Sequence, residues 1–347
     1  MKTDHILIIR FSALGDVAMT VPIVYGLAKE YPTLRITMLS QPFARPLFED
    51  LAPNVSFMES DIKEEYKGIK GLNKLYRRLA AKHFTAVADL HNVLRSSYLR
   101  MRFNFDQNHV AHINKHHDLR LKLTAKRNKV LAPIPTSFDN YKEVFAALGY
   151  PIHHLDFKSI FPNGKGPLRE LPSDIGEKKD FQQWIGIAPF AAHEGKAYPL
   201  YKMKDVIDLI IKKHPSARIF LFGGKNERYR LAELVSNSKN CTIVGNYLNN
   251  LYEELILMSH LDVMVSMDSA NMHLASLVNT PVVSIWGATH PYAGFMGWKQ
   301  KEENVVQVSL PCRPCSIFGN KPCRRGDYAC LYNITPAMIV ERIEKNL

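Results

Sequence analysis

His5-Ile6-Leu7-Ile8-Ile9-Arg10-Phe11-Ser12-Ala13-Leu14-Gly15-Asp16-Val17 combines a short apolar run, a loop with one glycine, and the start of a helical apolar period. The run reads as a buried strand and residues 17–30 as a helix. The same alternation continues outward. Residues 36–39 read as a strand, 73–83 as a helix, 86–90 as a strand ending in Asp89-Leu90-His91, and 141–148 as a helix stopped by Gly149 and Pro151. A stretch without periodicity follows, rich in Pro, Gly and charge, and residues 166–182 read as a linker. Strand and helix then alternate again. Strands are expected at 184–188, 217–222, 241–244, 263–266 and 282–286, and helices at 202–213, 229–236, 251–259 and 272–277. Alternating strands and helices predict parallel sheets with right-handed crossovers. The expectation is an α/β chain with a first Rossmann-like domain over 1–165 and a second over 183–333. A ligand cleft would lie between them, at the carboxyl ends of the strands. A terminal helix, 334–347, is expected to pack back on the first domain.

Composition narrows the class. In 347 residues, 46% are hydrophobic and 22% charged, which excludes a disordered or collagen-like chain. Five cysteines do not make a secreted disulfide framework. Arg10 interrupts the first apolar run too early for a signal-peptide core, and no later stretch is long enough to span a bilayer. The chain therefore reads as cytoplasmic, with attachment to a membrane surface left open. A net charge of +12 predicts an anionic partner.

Several loops after strands carry candidate chemistry. Gly15 permits a tight turn, and free N–H groups at the following helix start can bind an anion. Asp16 projects from that loop; the plainer reading is that Ser12 or Asp16 caps the helix. Ser266-Met-Asp268-Ser269-Ala270-Asn271-Met-His273 also runs from strand to helix, with small side chains and accessible N–H groups suited to a diphosphate. Its plainer reading is a capping Asp268 and a packing His273. Lys196, in the loop 188–199, can place an ammonium against the same diphosphate, or be an ordinary surface lysine. Gly223-Gly224-Lys-Asn-Glu227 allows close approach of a nucleotide, with Glu227 accepting from ribose hydroxyls, or is simply a turn. Neither GxGxxG nor a GxxxxGK[ST] loop occurs at the first strand, which argues against a dehydrogenase or P-loop ATPase.

Cys312, Cys315, Cys323 and Cys330 include one CxxC pair. A tetrahedral zinc site is one reading, but the second pair lacks that spacing, and reduced packing or loop thiols are favoured. Residues 95–130 hold nine Lys or Arg against two Asp, which makes this stretch the expected anion surface. Residues 70–82 place basic side chains opposite Leu72, Leu75 and Leu79. Such a helix can lie on an anionic membrane, although a solvated surface helix is the simpler reading.

Taken together, the motifs resemble a family. Arg10-Phe-Ser-Ala-Leu-Gly-Asp16 is similar to the R-x-S-x-L-G-D signature of bacterial lipopolysaccharide heptosyltransferases, glycosyltransferase family 9. Lys196-Ala-Tyr-Pro199 resembles that family's K-x-W-P, and Asp268-Ser-Ala-Asn-Met-His273 its D-[TS]-G/A-x-x-H. Cys312-Arg-Pro-Cys315, with the later cysteines, resembles a C-terminal pattern of many members. Tyr198 departs from the usual Trp, Ala191-Ala192 lack hydroxyls that some members place near the phosphates, and Ala270 stands where glycine is common.

The resemblance implies a GT-B architecture, two Rossmann-like doubly wound parallel-sheet domains facing a central cleft. It implies inverting, metal-independent transfer of heptose from ADP-heptose to a hydroxyl of the lipopolysaccharide inner core, with no cofactor. Asp16 would be the general base. Lys196, Ser269, Ala270 and His273 would hold the diphosphate, Asp268 would shape that loop, and Glu227 would bind ribose. Ser12 and Arg95 would meet an anionic glycolipid acceptor of the lipid A–Kdo type, at the cytoplasmic face of the inner membrane. The alternatives are a transferase of the same fold using another nucleotide sugar, a nucleotide-sugar epimerase of GT-B shape, and a non-catalytic scaffold. A basic nucleic-acid-binding protein is a weaker alternative from another class, because the chain has no RRM, KH or zinc-finger signature.

Overall fold

The computed structural model describes residues 4–235 and 238–347. The chain divides into two compact units, one of residues 1–115 and 135–160, the other of residues 116–134 and 161–347. Through the first unit run β1 (His5–Ile9), α1 (Leu14–Ala18), α2 (Val21–Glu30), β2 (Arg35–Ser40), β3 (Val55–Glu59), α3 (Gly68–Ala80), β4 (Ala86–Asp89), α4 (Leu94–Phe105) and β5 (His109–His112). After α5 (His117–Leu123), which belongs to the second unit, α6 (Ser137–Ala147) returns to the first.

The first sheet has the order β3-β2-β1-β4-β5, with every pairing parallel. Strand order therefore reverses between β1 and β4, and the loops leaving these two neighbours part to opposite faces there. That is where open α/β sheets bind ligands. Apolar side chains of β1 and β4 pack with Leu75, Leu79, Leu99 and Phe103 from α3 and α4 in one core.

The second unit contains β6 (Trp184–Ala188), α7 (Leu200–Lys213), β7 (Arg218–Leu221), α8 (Arg228–Val235), β8 (Cys241–Ile243), α9 (Leu251–His260), β9 (Val263–Met267), α10 (Ala270–Leu277), β10 (Val282–Ile285), β11 (Val305–Val306), α11 (Ala329–Tyr332) and α12 (Pro336–Glu344). Its sheet has the order β11-β10-β9-β6-β7-β8, again all parallel, with its switch point between β6 and β9. Both units are thus doubly wound parallel α/β folds.

Several expectations need correction. The helix expected over 17–30 is two helices: the Thr20 hydroxyl donates back to the Val17 carbonyl at 2.7 Å, and Pro22, lacking an N–H, opens α2. β3 and β5 escape a reading of periodicity because both are edge strands with partly exposed residues. The stretch read as a linker is packed into the second unit. The Gly166 N–H donates to Ser259 Oγ at 2.9 Å, and Lys178 Nζ lies 2.6 Å from Asp262 Oδ1. The terminal helix packs within the second unit. Ile339, Val340 and Ile343 of α12 join Met203, Ile207 and Ile210 of α7 in the second core, and Lys213 pairs with Glu344 at 2.8 Å. The apolar face of α12 matches that of α7, which decides where it docks. Ser236, the expected end of helix 229–236, lies outside the described residues.

Candidate functional site

At the switch point of the first sheet, the loop after β1 brings Arg10 and Asp16 together. The Arg10 side chain is almost wholly buried, so its charge needs partners. Nη1 donates to the Leu90 carbonyl at 2.7 Å, and Nη2 meets Asp16 Oδ2 at 2.6 Å. The same carboxylate oxygen accepts the Ala13 N–H at 3.2 Å, while the Tyr141 hydroxyl of α6 donates to the Asp16 carbonyl at 3.3 Å. Asp16 is held through Oδ2, yet its side chain keeps 34% exposure. Ser12 is half-buried just ahead of α1.

The loop after β4 contributes a residue that sequence reading left without a role. Buried Asp89 accepts the N–H groups of His91 at 2.9 Å and Asn92 at 2.8 Å on one oxygen and pairs with Arg100 at 3.0 Å through the other. This fixes the turn and turns the His91 ring toward the loop after β1, where the Phe11 N–H donates a long 3.5 Å bond to Nδ1. With Nδ1 accepting, the neutral ring carries its proton on Nε2. Burial, followed by the charges of Arg10 and Lys115, pushes the His91 pKa down to about 3; Asp16 acts against them and Arg95 with them. The signal for His91 was present in Asp89-Leu90-His91 at a strand end, but only the strand order makes β4 the neighbour of β1. Arg95 is exposed in the first turn of α4.

This histidine makes stability depend on pH. Unfolded, it binds a proton near pH 6.5; folded, only near 3. Its contribution is complete above the unfolded value and is lost as pH falls from there toward 3. Thermal midpoints measured across that window should fall on acidification, and His91→Gln should flatten the slope. His290 of the second unit, pushed down to about 4 chiefly by burial, adds to the same slope, as do His5 and His260, which burial also lowers. An identical slope in the variant would remove His91 from this account.

At the switch point of the second sheet, Lys196 follows β6 and Asp268 follows β9, and the two side chains meet. Lys196 Nζ lies 3.1 Å from Asp268 Oδ2, with the carboxylate 4% exposed and the ammonium 16%. Asp268 does not cap the helix. Ser269 occupies that position without a side-chain capping bond, and its Oγ lies 3.2 Å from Ser266 Oγ instead. Ala270 begins α10, and His273 is buried one turn in. A positive helix terminus whose capping side chain is turned away, beside a lysine, suits an anion.

Glu227 follows the adjacent β7, but its Oε2 accepts the Gly224 N–H at 2.7 Å, so one oxygen closes its own turn. Tyr198, the departure from tryptophan, is buried and donates its hydroxyl to the Ile334 carbonyl at 3.0 Å. Its ring thereby ties the Lys196 loop to the start of α12.

The cysteine-rich segment turns out to brace the same loop. Arg313 is buried and sends Nε to the Gly287 carbonyl at 2.5 Å and Nη2 to the Thr289 carbonyl at 2.9 Å, holding the turn after β10. The Tyr328 hydroxyl donates to Glu194 at 2.8 Å. Gly319, at φ +74°, backs directly onto Lys196: a Cβ there would stand 2.5 Å from Lys196 Cγ. A Cβ on Gly287 would stand 2.5 Å from the Gly195 carbonyl oxygen. These glycines are required by close approach, which their sequence neighbours did not reveal. All the cysteines are unbridged, and among the described residues no group of three or more His, Cys, Asp or Glu is placed to hold a metal. From the Cys312-Arg-Pro-Cys315 segment, the Arg313 side chain and the Cys315 N–H, which donates to the Ala288 carbonyl at 3.0 Å, reach the turn after β10.

Two doubly wound parallel sheets, each with charged residues on the loops at its switch point, define a two-unit α/β fold with a candidate ligand site on each sheet. The model of glycosyltransferase family 9 (heptosyltransferase) matches residues 72–326, and the chain belongs to this family. It is 26% identical over 302 residues to lipopolysaccharide heptosyltransferase 1 of Campylobacter coli, covering 83% of this chain and 85% of that protein. A family 9 glycosyltransferase from Veillonella parvula superposes with a TM-score of 0.75 at 20% identity, covering 100% and 98% of the two chains. The E. coli heptosyltransferase WaaC, solved with ADP-2-deoxy-2-fluoro heptose, gives 0.68 at 19% identity, covering 99% and 100%.

Proposed function

We propose that this protein transfers heptose from ADP-heptose to a hydroxyl of the lipopolysaccharide inner core, with inversion and without a metal requirement. The observation that carries the reading is the Lys196–Asp268 pair at the second switch point, beside the start of α10. As the glycosidic bond to ADP breaks, negative charge develops on the diphosphate. The Lys196 ammonium and the N–H groups of residues 269–271 stabilise that charge from fixed positions. Asp268 holds the lysine in place, and His273 supports the helix turn behind the phosphates. Glu227, through the oxygen not used by Gly224, takes the ribose.

Asp16 accepts the proton of the acceptor hydroxyl as it attacks the anomeric carbon from the face opposite ADP. One base and one displacement invert the configuration. Arg10 is a positioning residue, holding the carboxylate in place through Oδ2. Ser12 and Arg95 contribute to an acceptor bearing carboxylates and phosphates, which places the enzyme at the cytoplasmic face of the inner membrane. Similarity to the lipopolysaccharide heptosyltransferases of Campylobacter coli and E. coli supports this choice of acceptor.

A thermal-shift panel of ADP, UDP, GDP and CMP, each with and without Mg²⁺, tests the donor. At ~100 times its dissociation constant the right nucleotide adds about 2.7 kcal/mol. ADP is expected to stabilise, with no effect of Mg²⁺. Preference for UDP or GDP would discard ADP-heptose, and silence toward all four would overturn the donor site.

A further inference from the structure

We infer that α3 and α4 together form a docking face for an anionic lipid bilayer. α4 buries Ser96, Leu99 and Phe103 on one side. On the opposite side Leu94, Met101 and Phe105 follow one another at helical spacing, within roughly 40° of arc, while Tyr98 at the edge of this stripe is partly buried against the core. The first three stand out to solvent: Leu94 is 92% exposed, Phe105 74% and Met101 47%. Surface helices ordinarily carry polar residues there. This one is apolar on the side facing the core and again on the side facing away.

α3 lies beside it. The steps from β3 to β4 and from β4 to β5 move the same way across the sheet, so right-handed crossovers place both helices on one face. The Tyr98 hydroxyl and Arg102 Nη1 both donate to Asn73 Oδ1, at 2.7 Å and 2.5 Å, stitching the pair together. α3 buries Leu72, Leu75, Tyr76 and Leu79 and turns Lys67, Lys70, Lys74 and Arg77 outward. Of the nearby acidic groups, Glu65 is taken up by Lys74 at 3.0 Å and Asp106 by the Tyr76 hydroxyl.

An apolar stripe thus runs alongside a basic band on one rigid helix pair. An anionic leaflet offers the complement of both: phosphates for the lysines, and an acyl boundary for side chains lying flat against it. Nucleic acid would satisfy the band but leave Leu94 and Phe105 in water, and an acidic protein groove would have no use for so long a basic flank. Among the described residues no helix is long and apolar enough to cross a membrane, so attachment here is interfacial. This inference deepens the membrane placement proposed above, and its test uses neither donor nor acceptor sugar, so each can fail without the other.

Cosedimentation of the full chain with vesicles of phosphatidylglycerol and phosphatidylcholine, against pure phosphatidylcholine, reads the interaction. Binding to the anionic vesicles alone is expected, weakening as salt rises. Leu94→Ser with Phe105→Ser, and separately Lys70→Glu with Arg77→Glu, should each weaken it by about 10-fold. Unchanged thermal midpoints would show both variants folded, since all four side chains are exposed. Failure of the parent protein to bind, or parental binding by both variants, overturns the inference. Preferred binding to oligonucleotides, lost in the charge variant and kept in the apolar one, would assign the face to nucleic acid instead.

Discussion

Asp16→Asn is expected to lower transfer at least ~100-fold while nucleotide binding stays intact. Asparagine keeps the shape of the side chain and can still accept the Ala13 N–H, but it has no basic oxygen for the acceptor proton. The loss should fall on kcat and not on the stabilisation by ADP, because Asp16 belongs to the first unit and the donor residues to the second. A stability cost accompanies it. Arg10 would keep its bond to the Leu90 carbonyl but lose its ionic partner, and its side chain is only 8% exposed. Partial exposure of Asp16 limits that cost to a few kcal/mol at most, below the ~3–5 kcal/mol for breaking a fully buried pair. Thermal midpoint, ADP shift and turnover measured on the same preparation separate the effects. Turnover within ~10-fold of the parent would take the general-base role away from Asp16.

Lys196→Ala should damage both donor binding and the fold of the second unit. The Asp268 carboxylate is 4% exposed, and Lys196 Nζ is 3.1 Å away. Removing the ammonium leaves a buried negative charge unopposed, at a cost of order 3 kcal/mol. The ADP-induced shift should disappear as well. A double variant, Lys196→Met with Asp268→Asn, distinguishes the two consequences: it removes both charges, so stability should largely return while ADP still fails to stabilise. Recovery of the ADP shift in that double variant would show that the diphosphate is held elsewhere.

Most of the fold was legible in the chain because buried parallel strands advertise themselves. Ile6–Ile9, Trp184–Ala188 and Val263–Val265 hold no polar side chain and are wholly buried in the structure. Edge strands β3 and β5 were missed because a strand with one neighbour and a partly solvated face needs few apolar residues. Asp16, Lys196 and Asp268 were visible because their types and positions after strands are chemically suggestive. Arg313 was not, since nothing local distinguishes it from an ordinary polar residue, and His91, though legible at the end of β4, gains its place only from the strand order.

The sequence by itself determined two parallel α/β units and the loops on which the charged residues lie, because strand burial and helix periodicity are local patterns. Strand order belongs to the tertiary structure alone. It made β4 the neighbour of β1 and β9 the neighbour of β6, and so brought His91 beside Phe11 and Asp268 to Lys196 across 72 positions of chain. Packing also decided that α12 belongs to α7, that Gly319 must lack a side chain, and that the outer side of α4 is left bare. Each of these depends on which surfaces meet when distant segments are brought together, and that information is held in the three-dimensional arrangement of apolar faces rather than in any one stretch of residues.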